Sequence, residues 1–132
     1  MKENDIRALV LKQHMNFAQH GTIWATIIPD VGAYHHGFGN MMYTMKDHIL
    51  HINQEGIAIF AVDDMKGVAK EDTLIFIPRS EIKTSNIQAK LTKFIFTMET
   101  DKGRIRYKIR KSILGCPWHK ENLSFLLLGT GG

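Results

Sequence analysis

Seven histidines carry the most varied chemistry in this sequence, because imidazole can bind metals and can act as an acid or a base. His35 and His36 are adjacent in a glycine-rich segment, and His48 and His51 are three positions apart, which places them on opposite faces of a regular strand. A zinc site needs several ligands that converge in a tetrahedron. The spacing therefore disfavours a metal site and indicates isolated surface or loop histidines. One alternative stays open, in which a small enzyme uses the loop around Tyr34, His35 and His36 as its acid/base group.

The single cysteine, Cys116, is a second candidate for chemistry. It precedes Pro117 at a predicted helix start, where the partial positive charge of the helix can lower a thiol pKa. His119 and Lys120 follow closely in the sequence, but no nucleophile motif surrounds the cysteine. The pattern favours a buried, inert thiol.

Two further groups of residues resemble ligand sites only in composition. Asp63-Asp64 and Glu71-Asp72 lack the alternating ligands and terminal Glu of a calcium loop. The glycines at positions 37, 39, 129, 131 and 132 do not follow a strand and open a helix, as a phosphate-binding loop requires. The sequence thus predicts no catalytic residue, no metal and no cofactor.

The clearest binding feature is a basic strand face. Residues 93–99 and 104–110 predict a hairpin around Asp101 and Lys102, in which paired residues have numbers that sum to 203. One face of this hairpin is apolar and aromatic, with Phe96 opposite Tyr107. The other face carries the predicted ligand- or partner-binding residues, which are Lys93, Arg104, Arg106, Lys108 and Arg110.

This basic face has two interpretations. It could contact phosphates, an anionic lipid or an acidic protein, or it could be the solvated face that an antiparallel sheet must present to water. The aromatic residues that could stack on bases, Phe94, Phe96 and Tyr107, belong to the opposite face, which disfavours single-stranded nucleic acid. A nucleic-acid accessory protein that uses the basic face remains an alternative.

The chain is predicted to be one domain, residues 1–132. Residues 5–19 predict an amphipathic helix that Asn4 or Asp5 caps and that ends at His20 and Gly21. About seven short strands follow, from residue 22 to residue 110, and a second helix begins at Pro117. The expected fold is α+β and mainly β: a bent antiparallel sheet or split barrel with an N-terminal helix and a C-terminal capping helix.

Two segments and this order of elements resemble the bacterial pleckstrin-homology-like (PH-like) domains, many of which are uncharacterised. Residues 43–52 resemble that family's Thr, charged turn and apolar strand early in the sheet, and residues 75–82 are similar to its later strand that leads through a polar step. The resemblance implies a PH-like body at residues 21–128, an N-terminal helical addition at 1–20 and a flexible tail at 129–132. Strand 21–28 has no basic residue, unlike the members that bind inositol phosphates.

Composition and charge limit the function classes. The 132 residues are 44% hydrophobic and 23% charged, which excludes a disordered chain. Between Ile82 and Lys111 nine basic and two acidic residues give +7, against +4 for the whole chain and thus −3 for the rest. One cysteine, no apolar leader and no long apolar run predict a cytoplasmic protein with no membrane span. The predicted function is a non-catalytic binding or assembly module with an unknown protein partner, self-association or an anionic ligand.

Overall fold

The computed structural model describes residues 1–29 and 45–130, with side chains up to Leu128. The helices are α1 (Glu3–Lys12) and α2 (Pro117–Thr130). The strands are β1 (Thr22–Ile27), β2 (Asp47–Asn53), β3 (Gly56–Asp63), β4 (Val68–Ala69), β5 (Ile75–Pro78), β6 (Ile82–Ala89), β7 (Lys93–Thr100) and β8 (Gly103–Arg110). Short 3₁₀ turns at Glu71–Thr73 and Arg79–Glu81 precede and follow β5.

The eight strands form an antiparallel sheet that bends but does not close. Its order is β4-β3-β2-β1-β8-β7-β6, and β5 pairs with β3 beside this path. Strands β5 and β6 are joined only by the turn Arg79–Glu81, yet they lie toward opposite ends of the strand order. The sheet must therefore curl until these two strands approach each other, although no ladder joins them in the described residues. This confirms the predicted fold class, with eight strands instead of about seven.

The β7–β8 hairpin has the predicted register. All seven predicted pairs are present, from Lys93 opposite Arg110 to Glu99 opposite Arg104. Phe96 and Tyr107 are buried, as expected for the apolar face. Since side chains alternate between faces, a slip of one residue would bury the arginines, so the pattern specifies a single register.

Two apolar cores lie on the two faces of the sheet. The inner core lies on the concave face and includes Ile23, Leu50, Ile59, Tyr107 and Leu123. The outer core lies beneath α1 and includes Ile6, Val10, Ile49, Phe60 and Trp118. The neighbouring residues 49 and 50 of β2 thus enter different cores, which explains why β2 and β3 are apolar without strict alternation.

Helix α1 is shorter than predicted. It ends at Lys12 instead of residue 19, and it begins after Lys2, with no side-chain cap from Asn4 or Asp5. His14 has a left-handed φ of 60°, and the Met15 N–H bonds to the Val10 carbonyl. Tertiary contacts of residues 16–20 with β2 and α2 replace the helical bonds that periodicity alone predicted.

Gly21 has a different role from the predicted helix cap. A side chain at this position would place its Cβ 2.4 Å from the Ile52 carbonyl oxygen. The Ile52 N–H donates to the Gly21 carbonyl at 2.8 Å, so the two backbones lie in close contact. Glycine is needed here for close approach and not for a positive φ.

Other elements are short or end early. Residues 63–72 contain the two-residue strand β4 and the start of a 3₁₀ turn, and β6 ends at Ala89. In the segment 43–52 that resembles the PH-like domains, residues 43 and 44 lie outside the described residues, and β2 begins at Asp47. Helix α2 begins at Pro117, as predicted.

Candidate binding groove between β6 and α2

Strand β6 has an unpaired backbone edge within the described residues, because β7 is its only neighbour there. At the hairpin end, the Lys90 N–H donates to the Lys93 carbonyl at 2.8 Å. Antiparallel ladders alternate between bonded and non-bonded pairs, so the even-numbered residues of β6 bond to β7. The N–H and C=O groups of Ser85, Ile87 and Ala89 consequently point to the open edge.

A cavity of about 460 Å³ lies beside this edge. It is bounded by β6, the β5–β6 corner, the segment before β1 and the last turns of α2. Its wall is mainly apolar and comprises Ile52, Ile57, Ile82, Ile87, Phe96, Phe125 and Leu126. Its polar lining residues are Gln19, His20, Arg79 and Ser85, with backbone from Gly21. The volume falls within the range of about 300–1,000 Å³ typical of ligand pockets.

The α2 side of the cavity exposes apolar surface. Phe125 is 49% exposed and Leu128 is 78% exposed, one helical turn apart. The Phe125 ring stacks on His20, with ring centroids 3.8 Å apart and planes 4° from parallel. His20 has a left-handed φ of 64° and bonds through Nδ1 to Asn122 Oδ1 at 3.1 Å. These contacts hold an aromatic surface next to the β6 edge; we call the edge, the cavity and this aromatic surface the β6–α2 groove.

Among the described residues that line the cavity, Arg79 is the only arginine or lysine. Its Nε donates to the Gln54 carbonyl at 2.8 Å, and its Nη2 donates to the Asn53 carbonyl at 3.0 Å. Its backbone N–H donates to the Glu55 carbonyl at 2.8 Å, so the β2–β3 turn fixes both backbone and side chain. A guanidinium has five N–H donors, and two bonds leave others for a ligand.

A buried histidine of helix α2, His119, attaches the helix to strands β1 and β8. The β1–β8 ladder pairs Thr26 with Lys108, and its next bonded pair would be Trp24 with Arg110. Instead, the Trp24 N–H donates to His119 Nδ1 at 3.0 Å, and His119 Nε2 donates to the Arg110 carbonyl at 2.7 Å. The imidazole thus bridges the two strands where they separate.

One helical turn later, Asn122 also bonds to a backbone group of β1 that has no strand partner at this level among the described residues. Its Nδ2 donates to the Thr22 carbonyl at 2.8 Å and to the Glu3 carboxylate at 2.8 Å. Since β8 has ended at this level, α2 satisfies the backbone that a strand would otherwise pair. Burial lowers the pKa of His119, with a smaller effect of the Arg110 charge in the same direction, while the hydrogen bond to the Arg110 carbonyl opposes it.

The expectation that the histidines lie at the surface or in loops is wrong for His48, His51 and His119, which are all buried. The Ala18 N–H donates to His51 Nε2 at 3.0 Å, so His51 Nδ1 carries the proton that it shares with Thr22 Oγ1 at 2.8 Å. Burial lowers the pKa of His51 to about 4, although a backbone hydrogen bond with Asn16 opposes this shift.

His48 links β2 to β8. Its Nδ1 lies 2.7 Å from the Tyr107 hydroxyl, and its Nε2 lies 2.6 Å from the Met45 carbonyl. His48 faces the inner-core side of the sheet, whereas His51 faces the other side, as their spacing predicts. In residues 1–29 and 45–130, no three His, Cys, Asp or Glu side chains form a group that could hold a metal ion. Tyr34, His35 and His36, the alternative acid/base loop, lie outside the described residues.

The five predicted binding residues lie on the outer face of β7 and β8, on the opposite side of the sheet from the inner core. They are Lys93, Arg104, Arg106, Lys108 and Arg110, and all are at least partly exposed. Arg104 lies 3.7 Å from Glu99 across the hairpin. The register brings these residues together on one face but separates them from the β6–α2 groove.

Two further residues considered for chemistry, Cys116 and Asp63, have structural surroundings. Cys116 is 2% exposed, as expected for a buried thiol. Asp63 accepts hydrogen bonds from the N–H groups of Lys66 and Met65, which lower its pKa. This carboxylate therefore stabilises a turn.

Sequence reasoning missed the groove because its lining residues come from five separate segments of the chain. The only local signals were the alternation of Ser85, Ile87 and Ala89 and the helical spacing of Phe125 and Leu128. Neither pattern reveals that β6 has one strand neighbour or that α2 lies beside it. The chain has no significant match among protein-family models, curated protein sequences or solved structures.

Proposed function

We propose that the chain is a non-catalytic binding module with a PH-like fold, which binds an extended peptide segment in the β6–α2 groove. The observation that carries the proposal is the open backbone edge of β6 beside an apolar cavity. An edge strand recognises an extended chain through main-chain hydrogen bonds, and adjacent pockets select its side chains. The bent, open sheet with its C-terminal helix supports the PH-like part of the proposal.

Main-chain and side-chain recognition coincide on β6. Ser85 and Ile87 offer backbone bonds at the edge, and both also line the cavity. A peptide paired with them would direct alternate side chains toward the cavity, against Phe125 and Phe96. The expected ligand therefore has large apolar residues at alternating positions.

A peptide from another protein fits this edge better than a second copy of the chain. Pairing two β6 strands antiparallel would bring Lys83 of one copy near Lys90 of the other, and like charges across strands are unfavourable. Lysines on an edge strand also discourage such self-pairing. Self-association through β6 is therefore an outcome for the experiment to exclude.

Selection from a library of random heptapeptides displayed with free C-termini tests the proposal. We expect enrichment of alternating apolar sequences at pH 7. A synthetic copy of the most enriched peptide should bind the Ser85→Pro protein at least tenfold more weakly than the Ser85→Ala protein. The alanine variant keeps the edge N–H and the proline variant removes it, while neither removes a bond to β7.

Three results would refute this function: no enrichment, equal binding of the two Ser85 variants, or dimers that compete with every selected peptide. Lys108→Gln with Arg110→Gln provides a charge control, because these side chains lie on the outer face. This control should bind the winning peptide as the unmodified protein does. Thermal melting of each variant checks that it is folded.

The basic outer face and the compartment remain secondary proposals. Arg104, Arg106, Lys108, Arg110 and Lys93 offer a surface for an anionic ligand or acidic protein, supported by their shared face and the +7 charge of their segment. A single buried cysteine supports a cytoplasmic location. Neither helix in the described residues has the length and apolar character needed to cross a membrane.

A further inference from the structure

We infer that the β6–α2 groove recognises the carboxylate at the end of an apolar extended peptide, and that Arg79 binds this carboxylate. The inference rests on the proposed function and specifies its ligand class. It follows from the direction of β6, from the charge at one end of the cavity and from the way Arg79 is held.

The direction of β6 determines which end of a peptide meets Arg79. All strand pairs in the described sheet are antiparallel. A strand added antiparallel to β6 would place its C-terminal end beside Ile82, the first residue of β6. Arg79 lies in the turn that leads directly into Ile82, so this is the end where the guanidinium lies.

The charge at this end favours a carboxylate. None of the described residues that line the cavity is acidic. The nearby carboxylates have other partners, since Glu81 pairs with Lys102 at 3.1 Å and the Glu55 side chain accepts from Asn16. Arg79 therefore gives this end of the cavity a positive charge.

The hydrogen bonds of Arg79 prepare it for a planar anion. Bonds to the carbonyls of Asn53 and Gln54 hold the guanidinium in one orientation. No ion pair to Arg79 forms within the part of the chain that the structure describes. A guanidinium fork binds a carboxylate through two parallel hydrogen bonds, and a fixed fork loses less entropy on binding.

The side chain next to the carboxylate would meet apolar surface. Ile82, Ile87 and Phe96 line the cavity beyond Arg79. The favoured ligand thus ends in a large apolar residue whose own carboxylate contacts Arg79. An acidic side chain close to the end of a peptide offers the same chemistry, and the experiment must separate the two sources.

The experiment uses the winning heptapeptide from the library in three synthetic forms, labelled with fluorescein at the N-terminus. The first has a free C-terminal carboxylate, and the second has a C-terminal amide. The third has one added aspartate at its C-terminus, and the terminus of that aspartate is an amide. Fluorescence anisotropy at pH 7 gives each dissociation constant. We expect the carboxylate form to bind at least tenfold more tightly than the simple amide.

Substitution at Arg79 identifies the group that causes this preference. Arg79→Gln should reduce the ratio of carboxylate to amide affinity to about one, whereas Lys120→Gln, which removes an exposed charge in the first turn of α2 outside the groove, should preserve it. Arg79→Lys keeps the charge without the fork and should give an intermediate ratio. The ratio is the readout because a change in stability affects both peptides equally.

The outcomes separate the two proposals. Equal affinity of the carboxylate and amide forms, or a preference that survives in Arg79→Gln, would overturn the carboxylate inference and leave the peptide-binding function intact. Binding of the aspartate amide as tightly as the free acid would assign recognition to an acidic side chain instead of the chain terminus. If no peptide is selected at all, the proposed function itself fails. If Arg79→Gln does not fold, the comparison of the peptides on the unmodified protein still decides whether a carboxylate is recognised.

Discussion

At the scale of single residues, His119 has a role that sequence reasoning did not identify. Its neutral ring accepts a hydrogen bond from the Trp24 N–H and donates one to the Arg110 carbonyl. Both backbone groups belong to strands that separate at this level. Without the ring, each of these part-buried groups would lose its partner.

Replacing His119 with alanine should therefore lower the free energy of unfolding by about 3–5 kcal/mol, since each unpaired buried group costs roughly 1–3 kcal/mol. Urea unfolding at pH 7.5 measures the change. His119→Gln, which retains a donor and an acceptor, should recover part of the loss, and exposed Lys120→Ala should stay within about 0.5 kcal/mol. A His119→Ala protein as stable as Lys120→Ala would contradict the bridging role.

Gly56 is a second single-residue constraint, at the start of β3. Its φ is 153°, and a Cβ would lie 2.1 Å from the Ile77 carbonyl oxygen on β5. Gly67 provides a contrast, because its φ is 66° but the space around it is open.

Gly56→Ala should lower the free energy of unfolding by about 3 kcal/mol or more, because backbone strain and a backbone collision act together. Gly67→Asn should be close to neutral, since asparagine tolerates the left-handed region. Thermal and urea unfolding of the two variants make the comparison. If Gly56→Ala lost no more unfolding free energy than Gly67→Asn, the close contact between β3 and β5 at Gly56 would be contradicted.

At the scale of elements, β6 and α2 determine what the protein can bind. Strand β6 pairs with β7 through alternate residues and leaves the backbone of Ser85, Ile87 and Ala89 at the edge. The other side of helix α2 is attached to β1. His119 and Asn122 provide that attachment, so the residues that complete the sheet also position Phe125.

The Ser85→Pro and Ser85→Ala comparison belongs to this scale, because it changes one backbone donor of β6 and leaves the ladder to β7. The expected tenfold difference in peptide affinity corresponds to about 1.4 kcal/mol, a reasonable value for the loss of one main-chain hydrogen bond. The Arg79 variants test the corner between β5 and β6. Together they distinguish recognition of the peptide backbone from recognition of its end.

At the scale of the whole molecule, buried neutral histidines make stability depend on pH. The pKa of His51 is lowered to about 4, and the pKa of His119 is also lowered. Both histidines have pKa values near 6.5 in the unfolded chain, so between these values the unfolded state binds more protons than the folded state. Stability is therefore complete above pH 6.5 and decreases as pH falls toward 4.

His51 alone should contribute a loss of about 3 kcal/mol between pH 6.5 and pH 4, at up to roughly 1.4 kcal/mol per pH unit. Urea unfolding measured from pH 7.5 to pH 4.5 tests this. In His51→Gln the free energy of unfolding should depend less steeply on pH, because up to one proton fewer is taken up on unfolding. The Asp63 carboxylate, whose pKa is lowered from 3.8, affects stability only at lower pH. Constant stability across this range would contradict the assignment of neutral, buried rings.

The sequence by itself determined the features that depend on neighbouring residues. Alternation of apolar and basic side chains in residues 93–110 predicts the β7–β8 register, and Pro117 marks the start of α2, because both are local properties of the chain. The end of α1, the burial of His48, His51 and His119, and the edge of β6, which is open among the described residues, depend on contacts between distant segments. The tertiary structure alone decided them, since an imidazole has the same local preferences whether it lies in water or bridges two strands.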